Sequence, residues 1–424
     1  MPFAVAERRT TNVERRTGAM TMDTSTRLRI ALAVIVAALC GFGLVMIAST
    51  TVIGTAGGRS DGTVTYTFLV KQGLAMAGGL LLALLISKVG AARLRDWRMV
   101  GLVFGAAVAS LLAVLAVGRS INGAKRWIDL GPVNLQPAEI AKFAVVIAVA
   151  WLLGRAAERV RTFKHGLLLP VGAFILLAGL VYLTKDLGSV VVMGVVLVAM
   201  MLMAGAPWGQ LCAMGAAALP LLAYVAVWEV SYRRDRFFAF LDPWNSEGPA
   251  AYHLQQSFIA IGSGGTTGVG LGEGGAKLAF LPERHTDFIY AVICEEFGMA
   301  GGIGVAAAFL ALVVVGLMIA HQSRDLHRRL LATGAVMILG TQAFWNMLVV
   351  TGSAPTKGLT LPFISYGGSS VAVCIVLIGL LDACARANAR ELASHPLTSK
   401  PIGATTTRRL TPVPTRRPTT EGVS

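Results

Sequence analysis

The sequence predicts an all-α polytopic membrane protein with about ten transmembrane helices. Only 14% of the residues are charged and 55% are hydrophobic, whereas a soluble domain carries about 25% charged residues. Ten apolar runs follow one another, each near or above the roughly 20 residues that cross a bilayer as a helix. The basic residues gather in the tails and in alternate loops, which is the positive-inside pattern.

Residues 1–29 hold six arginines and no long apolar run. They read as a disordered cytoplasmic tail lying near anionic lipid. The first apolar run starts near Ile30 and is long enough to span, so no cleavable signal peptide is expected. Spans are expected near 30–50, 68–87, 99–118, 137–154, 166–184, 187–206, 209–230, 288–320, 330–350 and 363–385, which makes 30–386 one membrane domain. The tails and the loops on one side hold 24 Lys and Arg, against 11 in the loops on the other side. That bias puts both termini in the cytoplasm and 51–67, 119–136, 185–186, 231–287 and 351–362 outside. Only 231–287 is a long loop. Residues 387–424, rich in Thr, Pro and Arg, read as a second disordered cytoplasmic tail. The apolar run after Asp287 is long for one span, roughly 50 Å of helix against a hydrocarbon core of about 30 Å. Gly298, Gly301 and Gly302 interrupt it. A break is expected there, with 288–297 a short helix at the outer surface or lining a cavity.

Composition excludes some functions. The net charge of +15 could suggest nucleic acid, but its placement in tails and short loops argues against that. Cys40, Cys212, Cys294, Cys374 and Cys384 are odd in number and lack ligand spacing, so neither disulfides nor zinc is expected.

Five polar constellations stand at the outer ends of the apolar runs. Glu283, Arg284, His285, Thr286 and Asp287 form the densest reactive stretch. A carboxylate at a membrane boundary is partly desolvated, which raises its pKa and improves it as a base; the plain alternative is a polar helix cap. Arg126 and Trp127 precede Glu139 and Lys142, which lie at i, i+3 near the outer end of the fourth span. Intramembrane charges are functional candidates by default, and a structural ion pair is the alternative. Arg233, Arg234 and Arg236 stand on the side that disfavours cations, which suits a phosphate or pyrophosphate partner or anionic headgroups. The Gly-rich run 262–275 contains a literal G-x-G-x-x-G, but no strand precedes it. It reads as a tight loop approaching a ligand or a neighbouring helix, not as a nucleotide site. Lys357 lies in the Pro- and Gly-rich stretch 355–370, which suggests a non-helical re-entrant loop.

Taken in order, these motifs resemble the SEDS (shape, elongation, division, sporulation) family of peptidoglycan glycosyltransferases over roughly 28–386. The stretches 355–362 and 256–265 look more like its division members than its elongation members. The resemblance implies a polymerase that joins lipid II into glycan strands at the outer face of the bacterial cytoplasmic membrane, at the division septum. It implies a class B penicillin-binding protein transpeptidase as partner, together with other division proteins and membrane lipid. A divalent cation, Mg or Mn, is also implied by the family. The family's essential aspartate falls on Asp287, its Arg-Trp motif on Arg126 and Trp127, and its Gln-Pro-Ser-Glu-x-x-Lys motif on Gln136, Pro137, Glu139 and Lys142. Arg233, Arg234, Arg236, His285 and Lys357 complete the candidate substrate contacts. The chain departs from the pattern at Ala138, where Ser is usual, at Thr184-Lys185-Asp186 in place of Gln-Pro-Asp, and at Cys294, where Gly is common. Joining an α-linked donor into a β-1,4 product needs one displacement and one base, the role expected of Asp287. The rival expectations are a lipid II flippase and a non-catalytic division scaffold.

Overall fold

The computed structural model describes residues 3–53, 66–121, 124–129, 131, 134–227, 231–275 and 283–394. Most of loop 51–67, residues 276–282 of the long 231–287 loop and the tail beyond 394 lie outside them. In chain order the elements are α1 (Phe3–Ala48), α2 (Thr67–Val89), α3 (Trp97–Val117), β1 (Arg119–Ile121), β2 (Ala124–Asp129), β3 (Asn134–Leu135), α4 (Pro137–Ala156), α5 (Leu169–Leu183), α6 (Leu187–Met203), α7 (Trp208–Val227), α8 (Ser231–Leu241), α9 (Pro249–Gly264), α10 (Ile289–Gln322), α11 (Leu326–Val350) and α12 (Gly368–Ser394).

Among the described residues, nine helices are long and apolar enough to cross a membrane. The apolar helix α6 has 17 residues, about 25 Å of helix, at the short end of what can span. The ten expected runs and these ten helices correspond one to one. Their starts are legible in capping chemistry. Asp96, Asp186 and Asp325 each accept a backbone N–H at the head of α3, α6 and α11, and Pro137 opens α4, where its missing N–H costs nothing.

Several expectations need correction. The helical backbone of α1 runs back through the basic lead to Phe3, and the lead's Ala, Glu and Arg are good helix formers. Helix α12 continues to Ser394, eight residues past the boundary expected at 386. The described residues between 119 and 135 form a small antiparallel sheet, with Arg119 opposite Trp127 and Ile128 opposite Leu135. The long stretch 231–287 contains two helices, α8 and α9.

Helix α4 sits at the centre, buried on nearly every face and packed against α3, α5, α6 and α11. An apolar helix with no polar stripe belongs in such a position. Helices α2 and α12 cross backbone to backbone. A Cβ on Gly79 would stand 2.8 Å from the Ala372 Cα, and one on Gly379 would stand 2.5 Å from the Ala83 Cα. Small residues permit this approach in a membrane bundle.

The break in α10 falls at Gly298, at φ 64° and ψ −166°. The Gly-rich run closes it. Val269 and Gly270 donate their N–H groups to the Glu295 and Glu296 carbonyls, and Met299 and Ala300 donate to the Gly265 and Thr266 carbonyls, all within 2.9–3.2 Å. The backbone groups freed by the kink are thus satisfied inside the protein, as a low-dielectric setting demands. Residues 288–296 are buried in the core and not laid on the outer surface. Residues 299–322 alone give about 36 Å of helix, enough to cross the bilayer, so the first part of α10 is not needed for crossing.

Candidate active site

Asp287 lies on a turn, Glu283 to Phe288, that leads into α10. The Thr286 and Phe288 N–H groups both donate to the Glu283 carbonyl, and Glu283 takes φ +54°. The Thr286 hydroxyl donates to the Glu283 carboxylate at 2.7 Å. The non-helical segment between α11 and α12 then holds the turn from the other side. Ser365 Oγ donates to the Thr286 carbonyl at 2.6 Å, and the Tyr366 N–H to the His285 carbonyl at 2.8 Å. Asn346 Nδ2 donates to both the Asp287 and the Leu359 carbonyls, at 2.8 and 2.7 Å. Buried Gln72 on α2 satisfies the far end of the segment by accepting from the Gly367 N–H and donating to the Ser365 carbonyl. The expected re-entrant loop is therefore a buried clamp around Asp287.

The Asp287 carboxylate faces the backbone of Gly358; a Cβ there would stand 3.2 Å from Oδ2. Burial pushes its pKa up to about 7, with Glu283 and Asp186 adding to the rise and Arg236 and Arg126 opposing it. Gly358 is also part of the wall of a cavity of about 310 Å³. Five cations line that cavity: Arg126 from β2, Lys185 from the α5–α6 turn, Arg233 and Arg236 from α8, and Lys357. Asp186 is the acid in the wall, and it is engaged by the Ser189 N–H and hydroxyl and by Gln136 Nε2 at 3.2 Å.

Three of the five cations are braced by neighbouring elements. Arg126 Nη2 donates to the Lys185 carbonyl at 2.5 Å. Arg233 donates to the Val225 carbonyl and sits 5.5 Å from the Tyr182 ring centroid. The Lys357 ammonium lies 5.4 Å from the Trp345 ring centroid, and burial, with Arg233 alongside, holds its pKa below the ordinary range. Such a cavity suits a phosphorylated ligand, because arginine forks match its oxygens and the positive field is only partly offset by acids.

The expected residues thus divide. Arg126, Arg233, Arg236 and Lys357 converge on the cavity that Asp287 backs. Trp127 is half-buried in the sheet, and Arg234 is exposed on α8 and does not line the cavity. His285 turns the other way into an aromatic cluster, 5.1 Å from the Phe68 ring and 5.9 Å from Tyr366. Glu139 and Lys142 close on each other at 2.7 Å inside α4 and do not line the cavity. Sequence reasoning missed Lys185 as a contact, Thr356 and Gly358 in the wall, and His253, whose ring packs 5.8 Å from Phe288. A lysine at the boundary between two apolar runs was the available signal for Lys185. Among the described residues no three His, Cys, Asp or Glu side chains converge.

The model of the FtsW/RodA/SpoVE family, described as cell cycle proteins, matches residues 30–390. The chain belongs to this family. It is 40% identical over 347 residues to the probable peptidoglycan glycosyltransferase FtsW of Geobacter metallireducens, covering 81% of this chain and 91% of that protein. It is likewise 40% identical over 361 residues to the protein of the same name from Saccharophagus degradans, covering 84% of this chain and 92% of that one. Among solved structures, a chain described under the structural coordination of polymerization and crosslinking by a peptidoglycan synthase complex superposes with TM-score 0.69 at 31% identity, covering 84% of this chain and 97% of that chain. The rod shape determining protein RodA of Thermus thermophilus superposes with TM-score 0.61 at 29% identity, covering 84% and 95%. The chain is an FtsW-like SEDS protein that passes the membrane many times.

Proposed function

We propose that this protein is a division-associated peptidoglycan glycosyltransferase that polymerises lipid II into β-1,4 glycan strands at the outer membrane face. The observation that carries the reading is a single cavity lined by five cations, with a carboxylate of pKa about 7 behind its Gly358 wall. The donor's pyrophosphate enters the cationic cavity, and the acceptor sugar approaches Asp287. The acceptor 4-hydroxyl oxygen bonds to the donor's anomeric carbon as its proton passes to the Asp287 carboxylate. The bond from that carbon to the pyrophosphate oxygen breaks, and its electron pair leaves with the polyprenyl pyrophosphate. Arg126, Lys185, Arg233, Arg236 and Lys357 balance the charge that develops. One displacement inverts the centre from α to β, and a base titrating near neutrality is suited to the proton transfer.

Both termini lie in the cytoplasm in this reading, the protein works at the septum, and its partner is a single-span class B penicillin-binding protein. The similarity to a chain of a synthase complex supports such a partnership. The test is glycan formation from purified lipid II, with and without the transpeptidase. Asp287→Asn keeps the side chain's size but removes the base, so the rate should fall by about 10²–10⁴-fold. Near wild-type polymerisation by that variant would move the transporter reading ahead.

A further inference from the structure

The turn that carries Asp287 and the wall it faces come from distant parts of the chain, and one amide joins them. Asn346 stands one turn from the C-terminal end of α11 and is 2% exposed. Its Nδ2 donates to the Asp287 carbonyl at 2.8 Å and to the Leu359 carbonyl at 2.7 Å. Both acceptors are carbonyl oxygens, which cannot donate, so the side chain must turn its NH2 toward them. That group has two hydrogens, and each goes to a different segment. The helix behind it is firmly seated, packed against α4, α6, α10 and α12.

The Leu359 end of this tie reaches the cavity wall in one step. The Leu359 N–H donates to the Lys357 carbonyl at 2.8 Å, a three-residue turn with Gly358 at its centre. Gly358 is the residue whose backbone faces the Asp287 carboxylate; a Cβ there would stand 3.2 Å from Oδ2. Trp345, beside Asn346 on α11, has the Lys357 ammonium 5.4 Å from its ring centroid. Two successive α11 residues thus meet the side chain and the backbone of the wall, and one of them also meets the Asp287 turn. Gln72 differs, since its two bonds both go to the far end of the segment, at Ser365 and Gly367. A base that must reach a sugar beside a one-glycine wall tolerates little drift. A misplacement of about 1 Å can cost about 10²-fold in rate.

We infer that Asn346 is a positioning residue for the reaction: its one NH2 group holds the Asp287 turn and the Lys357–Leu359 wall at a fixed separation. This rests on the glycosyltransferase reading given above. Asn346 does not line the cavity, so it acts through the backbone of Asp287 and Leu359 and not on the ligand. No proton and no covalent bond passes through it. Without its amide two buried carbonyls lose their partner, and the turn and the wall are free to shift independently.

The test uses the full-length protein in nanodiscs and measures glycan formation from lipid II together with hydrogen exchange of the backbone amides. Asn346→Leu, of nearly the same shape, removes both donor hydrogens. Its kcat should fall by about a hundredfold. KM for lipid II should change much less, because four of the five cavity cations stand on other elements. Amides of 285–288 and of 357–361 should exchange faster together, while those of α4 keep their wild-type protection. Asn346→Ser has one donor hydrogen for two carbonyls, so its kcat should lie between wild type and the leucine variant. It carries the test where the leucine variant does not fold. Wild-type kcat in either folded variant overturns the proposal, as does a loss confined to KM or faster exchange in only one segment. Faster exchange spread through α4 and α6 also overturns it, by reducing Asn346 to a packing residue. Coupled exchange of the two segments in a protein whose wild type makes no glycan keeps the tie and removes the glycosyltransferase reading.

Discussion

The cavity and the Glu139–Lys142 pair are built from the same kinds of side chain and behave in opposite ways. Lys142 and Glu139 stand one turn apart on one helix, are almost wholly buried and cancel each other at 2.7 Å. The cavity cations come from four separate segments, face a common space and outnumber the acid in its wall. Charge inside a membrane protein becomes a binding site when tertiary structure leaves it unbalanced toward a space. It becomes architecture when its partner lies on the next turn.

The largest effect that would break this comparison lies in the pair. Removing one member of a buried ion pair typically costs about 3–5 kcal/mol, because the other charge is stranded. Lys142→Ala should therefore lower thermal stability strongly in detergent. Glu139→Gln combined with Lys142→Met should recover much of that loss. A stable, inactive Lys142→Ala protein would instead move Lys142 into the machinery.

A smaller effect sharpens the cavity's side. Asp287 acts when deprotonated, so kcat/KM should rise with pH through about 7. Arg236 favours the carboxylate and lowers its pKa, so Arg236→Gln should move the acid limb to higher pH. Glu283 raises that pKa, so Glu283→Gln should move the limb to lower pH and cost little rate. A limb unmoved by either change would detach Asp287 from the observed ionisation. The smallest effect is expected at Arg234, exposed on α8. Arg234→Ala should change stability by no more than about 0.5 kcal/mol and leave pyrophosphate affinity near wild type, unlike its neighbour Arg233.

How much of this was legible follows from where each signal resides. Helix positions are written locally, in apolar run length and in caps such as Asp186 and Pro137. The Gly298 break was legible because glycines interrupt an overlong run, and Asp287 because a polar cluster stood beside one. The i, i+3 spacing of Glu139 and Lys142 announced the pair, but spacing alone could not say whether it faces a cavity. Lys185 and Thr356 gain their meaning only when the α5–α6 turn, β2 and the 355–358 segment assemble. His285 was placed with Asp287 by adjacency along the chain, yet successive residues on a turn point to different sides.

The stitched kink at Gly298 also bears on how the enzyme meets bilayers of different thickness. Residues 299–322 are long enough to take up hydrophobic mismatch by tilting, the ordinary response of a spanning helix. Residues 288–296 are enclosed by protein, and four backbone hydrogen bonds cross the kink to the Gly-rich run. The segment leading from Asp287 is therefore referenced to its protein neighbours and not to the lipid. A bilayer a few ångströms thicker or thinner acts on the lower part of α10, while the carboxylate keeps its distance from Gly358 and the cavity beyond it.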